Sequence, residues 1–133
     1  MTPEMIELAK RAVACKGWRW MPGMLAVEWA APGMSLTGGR PVRVDEYWHE
    51  VGVWLPDLTD PATLGCLLAL VRETYGEATA HTRPFKGRWL VEREDRPYLY
   101  DWLCSCGTWG EGNGHVVGGA TEAEALVAAL EAK

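Results

Sequence analysis

The chain has 133 residues, of which 48% are hydrophobic and 23% charged, and a net charge of −5. This length suits one domain burying about two thirds of its unfolded surface, and the composition excludes an intrinsically disordered chain. An acidic balance with no basic stripe argues against direct binding of duplex nucleic acid, which needs a cationic footprint.

Thr2-Pro3-Glu4 predicts a helix start: a capping hydroxyl, proline at the first helical position and a carboxylate in the first turn. The helix is expected to run from about 3 to 15, with Met5, Ile6, Leu8, Ala9, Ala12 and Val13 on its apolar side and Gly17 ending it. The following stretch, Gly-Trp-Arg-Trp-Met-Pro-Gly-Met over 17–24, reads as an extended segment turned by Pro22-Gly23. Trp18 and Trp20 then share one face and Arg19 takes the other.

Between 18 and 56 short runs rich in Trp and Val are separated by Gly and Pro, and strands are expected at Leu25 to Trp29, Pro41 to Trp48 and Val51 to Leu55. Val42-Arg43-Val44-Asp45 alternates between a buried and a wet face, with Gly38-Gly39 as a tight turn before it. Asp60-Pro61 opens the clearest helix, which carries a stripe of Leu64, Leu67, Leu68 and Val71 and stops near Tyr75-Gly76. Strands follow at Arg88 to Arg93 and Leu99 to Cys104, then a glycine-rich passage with Asn113-Gly114 as a hairpin turn. Thr121 and Glu124 form a capping box that leads into an alanine- and leucine-rich helix. The order helix, strands, helix, strands, helix predicts a single α+β domain over 1–133, an antiparallel sheet with three helices arranged in two layers or as an α/β/α sandwich.

The amino terminus lacks the basic flank and apolar run of a signal peptide, and no stretch approaches the ~20 apolar residues of a membrane span. The expected location is the cytoplasm, with no membrane partner and with the four cysteines reduced.

Three stretches resemble segments of small proteins encoded by bacteriophages and prophages: Ala12 to Met24 (AVACKGWRWMPGM), Leu58 to Gly76 (LTDPATLGCLLALVRETYG) and Thr121 to Ala132 (TEAEALVAALEA). The layout is also similar to the phage domain described as an α/β/α sandwich. The resemblance implies a phage or prophage origin, action in the host bacterial cytosol, and a role in host takeover, counter-defence or regulation. It carries over no activity.

Residue chemistry offers few catalytic groupings. Cys104, Cys106 and His115 have the types of a soft metal site, which His49, His81, Cys15 or Cys66 would complete. Structural zinc favours Cys-x-x-Cys turns, however, and Cys-x-Cys in a strand sends its side chains to opposite faces. Gly107 to Gly114 fits no phosphate-loop pattern, and Gly118-Gly119 runs into a helix start already occupied by Glu122 and Glu124. Ser35 and Ser105 lack a nucleophile-elbow context. Asp45, Glu46, His49 and Glu50 would supply a general acid or base, or merely a solvent-facing turn. The expectation is a non-enzyme without cofactor.

The departure from average usage is tryptophan: eight, against four Tyr and one Phe. Trp20, Trp89 and Trp102 have apolar neighbours and are core candidates, whereas Trp18, Trp48 and Trp109 sit beside Arg, His or Gly and are candidates for exposure; the alternative is that most of the indoles are buried or half-buried cover for the sheet, with Trp18 at the edge of a packed stripe. Exposed indole beside arginine is a recurrent means of stacking a base or anchoring a partner. The expected binding residues are therefore Trp18, Arg19, Arg43, Trp48, His49 and Trp109.

Two forms of a counter-defence or host-modulating protein follow. One traps a nucleotide-like small molecule between aromatic rings, as a homo-oligomer, with Arg19, Arg40, Arg43 and Lys86 as available cations. The other docks on a host protein. An acidic, anti-CRISPR-like inhibitor of a nucleic-acid-binding host protein and a structural or regulatory phage protein without ligand are the alternatives.

Overall fold

The computed structural model describes residues 2–29, 40–50, 52–76, 78, 80–85, 88–92 and 116–132. In chain order these form α1 (Pro3–Val13), β1 (Leu25–Glu28), β2 (Val42–Arg43), β3 (Trp54–Pro56), α2 (Pro61–Tyr75), β4 (His81–Phe85), β5 (Arg88–Glu92), β6 (Val116–Gly119) and α3 (Glu122–Glu131). The class is α+β, with three helices in the expected order and antiparallel strand pairs throughout. The strands divide into two three-stranded sheets, ordered β2-β1-β3 and β4-β5-β6.

Local chemistry sets the helix ends. The Thr2 hydroxyl accepts from the Met5 N–H at 3.2 Å, and Asp60 accepts from the Thr63 N–H at 2.9 Å, each holding an amide that the helix itself leaves without a partner. Gly76 closes α2 in the left-handed conformation, φ 63°. In α3 the Thr121 hydroxyl takes the Glu124 N–H at 3.2 Å, while Glu124 reaches back to the Ala120 N–H at 2.8 Å, one residue before the usual return of a capping box.

Three expected segments differ. The first helix ends at Val13 rather than 15, because Cys15 N–H turns to the Ala12 carbonyl at 3.1 Å and the chain tightens out of the helix. The strand expected over 41–48 pairs only at Val42–Arg43; Asp45 then accepts from the Tyr47 N–H at 2.9 Å and folds the next residues into a turn. β3 begins at Trp54 and includes Pro56, which an edge strand tolerates. The expected turns at Gly38-Gly39 and Asn113-Gly114, and the strand at Leu99 to Cys104, lie outside the described residues.

The core sits where α3 meets its neighbours. α3 lies against β4, β5 and β6 and also against α1 and α2. Its Ala125, Leu126, Val127, Ala129 and Leu130 are buried, together with Leu67, Leu70 and Val71 of α2 and Leu8, Ala9 and Ala12 of α1. Alanines on facing helices allow close approach, and leucines fill what remains. The Tyr75 hydroxyl donates to the Ala129 carbonyl at 2.7 Å, and Arg11 forks onto Glu131 with Nε–Oε2 at 3.0 Å. Thr82 donates to Glu122 at 2.7 Å, joining β4 to the start of α3.

Gly118-Gly119 is the end of strand β6, not a loop, and the strand enters α3 so closely that a Cβ on Gly119 would lie 2.5 Å from the Glu124 Cβ and 2.9 Å from the Ala125 nitrogen. Backbone cannot yield there, so Gly119→Ala should cost about 3 kcal/mol. Gly65, exposed within α2 with nothing near its missing Cβ, is the opposite case, and Gly65→Ala should stabilise by about 0.5–1 kcal/mol. Urea unfolding of the two variants checks both signs.

Candidate functional site

Four of the eight tryptophans meet in one continuous ladder. Trp18 and Trp20 follow α1 after a turn closed by the Trp18 N–H on the Cys15 carbonyl at 3.1 Å, Trp48 lies after the Asp45 turn, and Trp54 opens β3. Trp18 and Trp20 stack edge-on at 5.4 Å between centroids and 80° between planes, Trp20 and Trp48 are tilted at 5.6 Å, and Trp48 and Trp54 are again edge-on at 5.1 Å. These separations fall in the favourable range for edge-to-face aromatic pairs, which add about 0.5–1.5 kcal/mol beyond their area.

Two backbone segments must be brought alongside for this to happen. Gly23 N–H donates to the Val44 carbonyl at 2.9 Å and Val44 N–H to the Met24 carbonyl at 2.8 Å, extending the β1–β2 pairing toward the tryptophans. Arg43 clamps the same junction, giving one Nη1 bond to the Gly23 carbonyl at 3.0 Å and another to Asp60 at 2.7 Å. Thr63, fully buried, donates its hydroxyl to Asp60 at 2.9 Å and accepts the Leu25 N–H at 2.8 Å.

The placement of the expected binding residues is mixed. Trp18 and Trp48 are half-buried rather than exposed: Trp18 is covered by Trp20, two residues along the chain, and Trp48 by Trp20 and Trp54. Trp20, expected in the core, is also half-buried, and Trp54 is the buried member at 6% exposure. Arg19 is exposed and pairs with Glu73 at 2.8 Å, and Arg43 is exposed but bound to Asp60. His49 is exposed in the turn. Trp109, Trp102, Lys86, Cys104, Cys106 and His115 lie outside the described residues, as does the side chain of Trp89.

Among the described residues no group of three His, Cys, Asp or Glu stands ready to hold a metal ion. Cys15 and Cys66 are half-buried, donate to the Arg11 and Pro22 carbonyls at 3.3 and 3.6 Å, and have thiols pushed up by burial.

Residues not singled out from sequence complete the surface beside the ladder. Trp29 is 48% exposed, Tyr47 76% and Val53 58%. Trp29 and Val53 face each other where β1 and β3 continue, with the Trp29 N–H on the Val53 carbonyl at 2.8 Å, and Lys10 of α1 lies 5.2 Å from the Trp29 ring centroid. Tyr47 and Val53 adjoin Trp48 and Trp54, the last contacting pair of the ladder. Exposed carboxylates at Asp45, Glu46 and Glu50 surround Tyr47 in the chain. Tyrosine between carboxylates was a sequence signal for this surface, whereas Trp29 carried none, since its strand context predicts burial.

The Nε1–H groups of Trp18 and Trp48 are buried without a hydrogen-bond partner among the described residues. A buried unpaired donor costs about 1–3 kcal/mol, so Trp48→Phe, which keeps the ring and deletes the donor, should leave stability within about 1 kcal/mol of the parent. Trp48→Ala removes the ladder's middle and should cost about 3 kcal/mol; thermal unfolding of the pair tests this ordering.

Acid should loosen the clamp. The Arg43 guanidinium holds the Asp60 carboxyl below its ordinary range, helped by Thr63, and Arg11 does the same to Glu131. A carboxyl depressed in the folded state contributes stability fully present above its unfolded pKa, ~3.9 for Asp and ~4.3 for Glu, and lost as pH falls through the lower folded value. Unfolding followed from pH 6 down to 2 should therefore show an acid limb, and Asp60→Asn, which retains capping ability, should flatten it.

No family model matches the chain, and neither a curated protein nor a solved structure does.

Proposed function

We propose that the chain is a phage-derived, non-enzymatic binding protein that docks on a host defence protein, using the exposed aromatic surface beside the indole ladder. The observation that carries this reading is the combination of large exposed side chains, Trp29, Tyr47 and Val53, with a stack of indoles, two of which, Trp48 and Trp54, are the chain neighbours of Tyr47 and Val53. Anchors of this kind lose little entropy on binding, and Trp and Tyr dominate interface hot spots. The phage setting and the counter-defence role rest on the resemblance of the Ala12 to Met24, Leu58 to Gly76 and Thr121 to Ala132 stretches to phage and prophage sequences.

The carboxylates of Asp45, Glu46 and Glu50 favour a partner with a basic rim, as a nucleic-acid-binding host protein has, and oppose a second acidic copy of this chain. The nucleotide-trapping form is less well supported. Both described arginines nearest the ladder, Arg19 and Arg43, already hold carboxylates, so a phosphate would have to displace Glu73 or Asp60.

Expression in bacterial strains that each carry one defence system, followed by phage plating, tests the reading. Plating should recover at least about tenfold in one strain, the size of losing a single hot-spot contact or more. The double variant Trp29→Ala/Tyr47→Ala should abolish the recovery with an unchanged melting temperature, since both residues are exposed. Full recovery by that variant would sink the proposal, and a melting shift with cyclic or linear nucleotides would move the assignment to sequestration.

A further inference from the structure

The C-terminal turns of the three described helices open onto one cleft of about 710 Å³, within the size range of small-molecule sites. Its apolar part is made by Leu130 of α3 and by Ala14, the exposed residue that caps α1. Polar groups line the rest, and their pairing decides what ligand they suit.

The carboxylate on this wall, Glu131, has both oxygens taken by Arg11, through Nε at 3.0 Å and Nη2 at 2.5 Å. That pair is neutral and closed. The Lys16 ammonium forms no ion pair among the described residues, and the Thr74 hydroxyl makes no hydrogen bond among them. Lys16 is thus a cationic donor with no carboxylate on it among the described residues, and the Thr74 hydroxyl on the same wall can donate as well as accept. Helix C-termini disfavour an anion, and the Lys16 ammonium is the group on this wall that offsets them; the Lys10, Glu73 and Ala128 carbonyls are also taken, by the Ala14 N–H at 3.2 Å, the Gly76 N–H at 3.2 Å and the Ala132 N–H at 3.0 Å. Cys15, also on the wall, directs its S–H to the Arg11 carbonyl, so the cleft offers no free thiolate.

We propose that this cleft binds a small amphipathic carboxylate, with its hydrocarbon body on Leu130 and Ala14 and its anionic head between Lys16 and Thr74. A charged ammonium and a hydroxyl together supply the charge-assisted hydrogen bonds that such a head requires, and an apolar floor excludes water from its tail. The site is independent of the aromatic docking surface.

Octanoate, octanol and octylammonium, each below its micelle concentration, are titrated calorimetrically into the full chain, with the melting temperature as a second readout. Octanoate should bind saturably and raise the melting temperature, and the other two should not. Lys16→Met keeps the stem and removes the charge, and should weaken octanoate about tenfold, the loss of one charge-assisted contact. Ala14→Trp fills the cleft from an exposed position and should abolish binding while leaving the unliganded melting temperature unchanged. Equal or tighter binding of octanol or octylammonium, undiminished octanoate binding in either variant, or no saturable heat with octanoate would each overturn the proposal.

Discussion

The carboxylate of Asp60 gathers the Thr63 amide and hydroxyl and two arms of the Arg43 guanidinium, at 2.9, 2.9, 2.7 and 3.4 Å. Through Thr63 it reaches the first amide of β1, and through Arg43 the carbonyl of Gly23. One side chain thus starts a helix, anchors a strand and holds the turn between the Trp18–Trp20 segment and the strand beside it. Without it the two segments that carry Trp20 and Trp48 are joined by little backbone pairing, the Gly23–Val44 and Val44–Met24 bonds beyond the short strand β2. A charge network at the edge of the core therefore governs an aromatic cluster several residues away. Such networks specify a unique arrangement more than they add net stability, since removing one partner strands the others.

The ladder in turn shows why tryptophan was chosen over phenylalanine, and at what cost. Indole covers more area than any other side chain and gives edge-to-face contacts along its length. Two of its N–H groups are nonetheless buried without acceptors among the described residues. Area and contact outweigh the lost hydrogen bonds here, and the stiff stack that results is what lets neighbouring Tyr47 and Val53 stand in solvent without a flexible base.

How much of this was readable from sequence follows from the range of the forces involved. Thr2, Pro3, Asp60, Pro61, Gly76 and Thr121 act on amides or dihedrals within four residues, so the helices could be placed from local chemistry. The alternation of Val42 to Asp45 likewise survives as half-buried, exposed, buried, exposed. Exposure of the tryptophans was not local information. Arg19 and His49 beside Trp18 and Trp48 suggested solvent, but each ring is covered by indole, and the polar neighbours simply point away. Nor could the cleft be anticipated, since Cys15, Thr74 and Leu130 share no motif and meet only because three helix ends converge. The division into two sheets was hidden for a similar reason: strand pairing depends on partners distant in the chain, and β6 was masked by its glycines.

The position of α3 in the order of synthesis has its own consequence. This helix touches the second sheet on one side and α1 and α2 on the other, yet it is the last of the described elements. While a ribosome is still making residues 1–121, the residues of α1, α2 and β4 that pack on α3 lack that common partner. The core therefore closes around α3 only once residues 122–131 are available to pack.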